Sequence, residues 1–277
     1  DEYPNIFTVA EVVGPRPLDE MKAFTAGDAH LTTAYNFDFL YADEMTPALV
    51  KRSLSGWPGA EGEALPSWAF SNHDAPRCIS RWAKGADPVR AAKLYLLLLL
   101  SLRGYIFLYQ GEELGLPQAE VPFEALQDPE AIANWPATLG RDGARTPMPW
   151  EKAANCGGFT MGIPWLPMDD RHIALAADAQ ASDPAAVLNF AKDAIALRRS
   201  SSALRQGGLS FLDAPQNILA FTREHDEERL FCVFNLGGEE SILPDRLRPQ
   251  GVIRLATGVN PESGPDMLPG LSGFIAS

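Results

Sequence analysis

The sequence predicts an α/β fold followed by a small antiparallel β-region, and three observations carry that expectation. From residue 1 to about 206, short apolar runs alternate with helix-length segments, the spacing of parallel strands joined by crossover helices. Within that region, residues 111–183 form a long Pro-, Gly- and Trp-rich stretch with little periodicity, and a loop that long in a compact domain is usually functional. Beyond "RQGG" at 205–208 the apolar runs are separated only by turn-forming residues, the pattern of antiparallel strands.

The elements follow in order. "IFTVAE" (6–11) and "LTTAYNFDF" (31–39) read as strands, the second leading to a helix near 43–55. "SWAFSN" (67–72) is a third strand, followed by a helix at about 88–102, and "YIFLYQ" (105–110) is a fourth. The run "LYLLLLLSL" (94–102) is too short to span a bilayer, so it reads as a buried helix. Asp183-Pro184 predicts a helix start, an N-cap followed by Pro at the first position. Val187, Phe190, Ala194 and Leu197 give that helix an apolar face. In the last region "LSFL", "ILAFT", "RLFCVFNL" and "VIRLA" are strand-like, with "EHDEE" (224–228) as a hairpin tip. The expected domains are 1–206 and 207–277.

Composition narrows the function classes. An apolar fraction of 46% supplies a sizeable core and argues against disorder. The net charge of −13 argues against a nucleic-acid partner and fits a neutral or cationic small molecule. Cys78, Cys156 and Cys232 are scattered and odd in number, so neither a disulfide framework nor a metal knuckle is predicted. No signal peptide is visible, but the first residues lack a starting methionine, so the location is left open between cytoplasm, which is favoured, and periplasm; no membrane partner is expected.

Polar residues gather where strands end. The first strand ends at Glu11, the third at Asn72-His73-Asp74, and the fourth at Gln110-Gly111-Glu112-Glu113. In a barrel of βα units, strand C-termini converge on one face, which carries catalysis. Glu11 and Asp74 placed there make the pair of carboxylates that acid–base work on a glycosidic bond requires. Plainer readings stand beside this one: Glu11 as a solvated loop residue, His73 as a structural hydrogen-bonder, Glu112 and Glu113 as caps of the next helix. A metal reading of the Asn-His-Asp triplet lacks a second histidine at ligand spacing, so no metal and no cofactor are predicted. Phe37 and Phe39 suit either the core or the wall of a substrate pocket.

"FSNHDAPR" (70–77) resembles the fourth signature region of glycoside hydrolase family 13, the α-amylase superfamily, and "FTVAEV" (7–12) resembles its third. "GYIFLYQGEELGLP" (104–117) and "GRDGARTPMPW" (140–150) are similar to its α-glucosidase and oligo-1,6-glucosidase branch. The resemblance implies Glu11 as general acid/base and Asp74 as the carboxylate that stabilises the transition state. It implies His73 and Arg141 as contacts to the bound glucosyl ring. The implied reaction is retaining hydrolysis of terminal α-glucosidic bonds in maltose- or isomaltose-type oligosaccharides or glucosides. A transglucosidase or isomerase of the same family, and a non-catalytic binding protein on the same scaffold, are the alternatives.

The family's nucleophile lies upstream of the Glu11 strand and has no counterpart here. Four strand–helix units are visible where a closed barrel needs eight. The expectation is therefore the C-terminal half of a (β/α)8 TIM barrel, strands five to eight, followed by a small antiparallel β-domain. Its partner would be the missing N-terminal half of the same enzyme, and the chain alone is expected to be inactive.

Overall fold

A computed structural model describes residues 6–27, 31–57, 64–138, 140–262 and 264–277. The expected start of the first domain at residue 1 lies outside the described residues. Four short strands stand side by side in sequence order: β1 (Val9–Ala10), β2 (Thr33–Tyr35), β3 (Pro66–Ala69) and β4 (Tyr105–Phe107), each parallel to the next. The segments between and after them carry α1 (Pro17–Thr25), α2 (Pro47–Ser55), α3 (Cys78–Trp82) and α4 (Pro88–Ser101). Proline opens α1, α2 and α4, where its missing N–H would have had no helical partner anyway. Thr46 and Asp87 cap α2 and α4 by accepting the Leu49 and Val89 amides.

The strands are shorter than the apolar runs that announce them, and side-chain chemistry ends two of them early. Asn36 Oδ1 accepts the Asp38 amide at 2.8 Å, bending "LTTAYNFDF" into an Asx-turn after Tyr35. Phe39 then drops into the core, fully buried, so of the two readings for that ring the core is the correct one. Asn72 bends the chain in the same way beyond Ala69, accepting the amides of Asp74 and Ala75.

Alternation sorts the sheet into two faces. Ala34, Trp68 and Ile106 point outward and pack with the leucines of α4. Tyr35, Ala69 and Phe107 point inward and cluster with Leu40 and Phe37. The sheet curls strongly about this inner side. Rings from its two ends meet there: Phe7, just before β1, lies 5.1 Å from Tyr105 on β4, edge to face.

The stretch 111–183 is not structureless. It holds α5 (Pro129–Asn134), α6 (Asp170–Ala174), α7 (Ala177–Ala181) and several single 3-10 turns. The helix expected at Asp183-Pro184 begins later, as α8 (Val187–Ser200). Asp183 instead folds a turn: its Oδ1 accepts the Ala185 amide and its carbonyl the Ala186 amide. The expected apolar face of Val187, Phe190, Ala194 and Leu197 is buried against α4. A short α9 (Ser202–Gln206) follows.

Eight-residue strands β6 (Ile218–His225) and β7 (Glu228–Asn235) form a hairpin whose tip is Asp226-Glu227, with Asp226 at φ 50°. With β5 (Gly208–Phe211), β9 (Ile253–Thr257) and β11 (Ser272–Ala276) they build an antiparallel sheet in the order β5-β6-β7-β11-β9. Two-residue strands β8 (Ser241–Ile242) and β10 (Met267–Leu268) pair beside it. Phe221 and Phe234 join the same core as α4.

Two arginines staple the junction. Arg198 donates to the carbonyls of Leu100, Leu102 and Gly104 at the end of α4. Arg223, fully buried on β6, donates to those of Ser101, Leu204, Gly207 and Gly208. Carbonyls left over at helix ends need such donors when water cannot reach them. No described helix is long and apolar enough to cross a membrane.

Candidate active site

The rim of β3 organises the site. The Asx-turn at Asn72 lifts His73 and Asp74 out of the core while Ala75 goes back into it. Arg81, one turn into the chain beyond Arg77, pins the exit by donating to the Pro76, Phe39, Ala42 and Phe70 carbonyls. The Asp74 side chain is 39% exposed and its two oxygens face different partners. Oδ1 accepts from Arg145 Nη2 at 2.6 Å and, at 3.5 Å, from Arg141 Nη1. Oδ2 lies 3.4 Å from His73 Nε2.

Arg141 reaches this point because a buried carboxylate holds it. Asp128 accepts from the Arg141 amide, Nε and Nη2 at 2.8, 3.0 and 2.8 Å. That guanidinium holds the Asp128 carboxyl well below the usual carboxylate range, and Asp128 in turn raises the pKa of Arg141. Asp142, fully buried, orders the loop beneath by accepting the Gln127 and Asp128 amides. Fork-to-carboxylate pairing of this kind fixes geometry as well as charge.

Glu11 follows β1 directly and is exposed. Alternation puts it on the inner face with Val9. Tyr35 on β2 lies between the two strand ends: the Asn72 side chain donates to its hydroxyl, and the charges of Glu11 and Glu112 both act on it. Burial pushes that hydroxyl up to about 12, so Tyr35 stays a neutral phenol. With β2 between them, the ends of β1 and β3 stand roughly 10 Å apart at ordinary strand spacing. The structure thus brings Asp74, His73 and Arg141 into one cluster and sets Glu11 on the same rim.

The sequence reading missed Arg145 and Tyr109 on this rim, and named Glu112 without its role. Arg145, inside the "GRDGARTPMPW" stretch, spans Asp74 and the His73 carbonyl, the latter at 2.7 Å. Tyr109 beyond β4 donates its hydroxyl to the Ala144 carbonyl at 2.8 Å, with the Arg77 guanidinium over its ring. Glu112 is buried instead of capping a helix. Its carboxylate accepts the Tyr109 amide, faces the Cys78 thiol at 3.4 Å, and pairs with the Ser71 side chain. Burial raises its pKa to about 7. The sequence signal for Tyr109 and Glu112 was placement just past β4, and for Arg145 its position within the "GRDGARTPMPW" stretch.

The sequence and the fold have counterparts among known proteins. A family model for the α-amylase catalytic domain matches residues 1–207. A probable α-glucosidase of Rhizobium meliloti (strain 1021) is 43% identical over 241 residues, covering 86% of this chain and 44% of the relative. An oligo-1,6-glucosidase of Parageobacillus thermoglucosidasius is 28% identical over 276 residues, covering 88% and 49%. The crystal structure of the α-glucosyl transfer enzyme XgtA superposes with a TM-score of 0.86 at 36% identity, covering 100% of this chain and 52% of that one. The chain spans about half the length of these relatives. A parallel sheet with a polar C-terminal rim, matched over most of its length by that family model, leads to one assignment: the chain belongs to the α-amylase family of glycoside hydrolases, similar to its α-glucosidases and oligo-1,6-glucosidases.

Proposed function

We propose that this chain is the C-terminal half of a retaining α-glucosidase. In that reading residues 1–206 supply strands five to eight of a (β/α)8 barrel, and residues 207–277 an antiparallel β-domain. The substrates are terminal α-glucosidic bonds of maltose- or isomaltose-type oligosaccharides. A preceding half of the same enzyme would pair with β1 and β4 and carry the nucleophile.

One observation carries the reading. Asp74 stands half-exposed on the strand rim, its Oδ1 held by two arginines and its Oδ2 turned towards His73. A carboxylate fixed in this way can accept hydrogen bonds from sugar hydroxyls that shorten as positive charge grows on the ring. Arg141 and His73 add contacts to the same ring. Glu11, across β2, gives its proton to the departing glycosidic oxygen and takes one back from water in the second step. Likeness to an α-glucosyl transfer enzyme favours a second outcome at the same site, in which a sugar hydroxyl replaces water.

The test is p-nitrophenyl α-glucoside turnover by the 277-residue chain alone, and by the chain co-expressed with the N-terminal half of the Rhizobium meliloti relative. The expected result is no turnover alone, activity on complementation, and its loss with Glu11→Gln. Activity indifferent to Glu11→Gln refutes the assignment.

A further inference from the structure

The loop that presents Arg141 and Arg145 to Asp74 has a second side. There, a cavity of about 530 Å³ is lined by Gln118, Glu120, Val121, Pro122, Trp135 and Gly143, together with Ala119. Its volume lies in the range of small-molecule pockets. Trp135 sits at its lip, 41% exposed, immediately after α5, and its ring leans on Phe123 at 5.6 Å.

The wall is built from fixed parts. Ala119 donates its amide to the Gly143 carbonyl at 3.0 Å, tying the two sides together. Gln118 Oε1 accepts the Arg77 amide at 2.9 Å, which aims its other amide atom, Nε2, at Gly143. A Cβ on residue 143 would come within 2.5 Å of both Gln118 Nε2 and the Ala119 carbonyl, so only glycine fits there. Glu120 is anchored at the edge by Arg171 at 3.0 Å. Asp128, which grips Arg141, also caps α5 and so sets where Trp135 stands.

An exposed indole face beside a side-chain amide and a carboxylate suits a ligand with one apolar face and a belt of hydroxyls. We propose that this cavity is a second carbohydrate-binding site, taking a pyranose ring stacked on Trp135 with hydroxyls bonded to Gln118 and Glu120. The choice of a sugar over another amphipathic ring rests on the glucosidase reading above, because Gly143, between Arg141 and Arg145, lines this cavity. It would hold oligosaccharide close to the rim without contributing to bond cleavage.

The experiment titrates maltotriose into the 277-residue chain and follows indole N–H resonances by NMR, Trp135 being assigned by the signal lost in Trp135→Phe. The expected result is a saturable shift of that signal, retained in Asp74→Asn. Trp135→Ala should weaken binding roughly tenfold or more, the scale of one lost stacked-ring contact. No shift, equal affinity in Trp135→Ala, or loss in Asp74→Asn would each overturn the second site. Failure of the glucosidase reading shows elsewhere, as complemented activity that ignores Glu11→Gln.

Discussion

Arg145 bridges two consecutive residues of the β3 rim, its Nη2 2.6 Å from Asp74 Oδ1 and its Nε donating to the His73 carbonyl at 2.7 Å. One planar group therefore sets both the direction of the carboxylate and the peptide that carries the imidazole. Removing it leaves Asp74 Oδ1 with the longer Arg141 contact, and Oδ2 facing His73. In the complemented enzyme, Arg145→Ala should lower kcat by roughly 10- to 100-fold, the worth of a charge-assisted hydrogen bond, with a smaller change in KM. Arg145→Lys should recover little, because an ammonium cannot span both acceptors. Steady-state kinetics decide it, and an unchanged kcat would mean Asp74 is oriented by other contacts.

Asp128 and Arg141 make a pH-dependent pair with a definite sign. The folded-state pKa of Asp128 is depressed, chiefly by the Arg141 guanidinium. Its stabilising contribution is thus complete above the unfolded value and fades as pH falls towards the folded one. Thermal melts should show Asp128→Asn less stable than wild type at neutral pH, with the gap narrowing below about pH 4. A gap that persists unchanged into acid would assign the effect to packing.

Glu112 should behave in the opposite sense. Its pKa rises from 4.5 to about 7 through burial, so its contribution is full below the unfolded value and is lost as pH climbs through the folded one. The facing groups are Ser71, Cys78, the Tyr109 amide and Arg77, all four favouring the anion against the larger effect of burial. Glu112→Gln removes the titration while keeping an acceptor for Tyr109. Relative to this variant, wild type should lose stability between about pH 4.5 and 7, by on the order of 3 kcal/mol. Parallel stability curves for the two proteins would contradict the raised pKa.

Arg223 holds four carbonyls and, among the described residues, has no carboxylate partner. Arg223→Met keeps most of the volume and deletes every donor. Chemical denaturation should show a loss of about 3–5 kcal/mol, the cost of stranding buried polar groups. A loss below about 1 kcal/mol would mean those carbonyls find water.

The sheet was legible because apolar runs such as "SWAFSN" and "YIFLYQ" have the length and composition of strands. The limits of those strands were not, since Asn36 and Asn72 turn the backbone by accepting amides two residues on. His73, Asp74 and Arg141 were legible as a group through motif resemblance, and the contacts between them follow from the fold. Arg145 was hidden because its reach depends on Ala144, whose carbonyl is held by Tyr109 and Arg77 from 35 and 67 residues away. The Asp183-Pro184 signal misplaced a helix start for a related reason. An Asp that can cap a helix can also close a turn, and the sequence does not say which amide it will take.

The meeting of Phe7 and Tyr105 across the concave side has a consequence for assembly. Curvature in this chain does not wait for additional strands to impose it, because two aromatic rings already draw the outermost strands together. A complementary half would encounter a preformed trough, and docking would consist of zipping backbone onto two exposed margins. Loosening that ring contact, as in Phe7→Ala, should slow reconstitution from halves more than it weakens the finished enzyme.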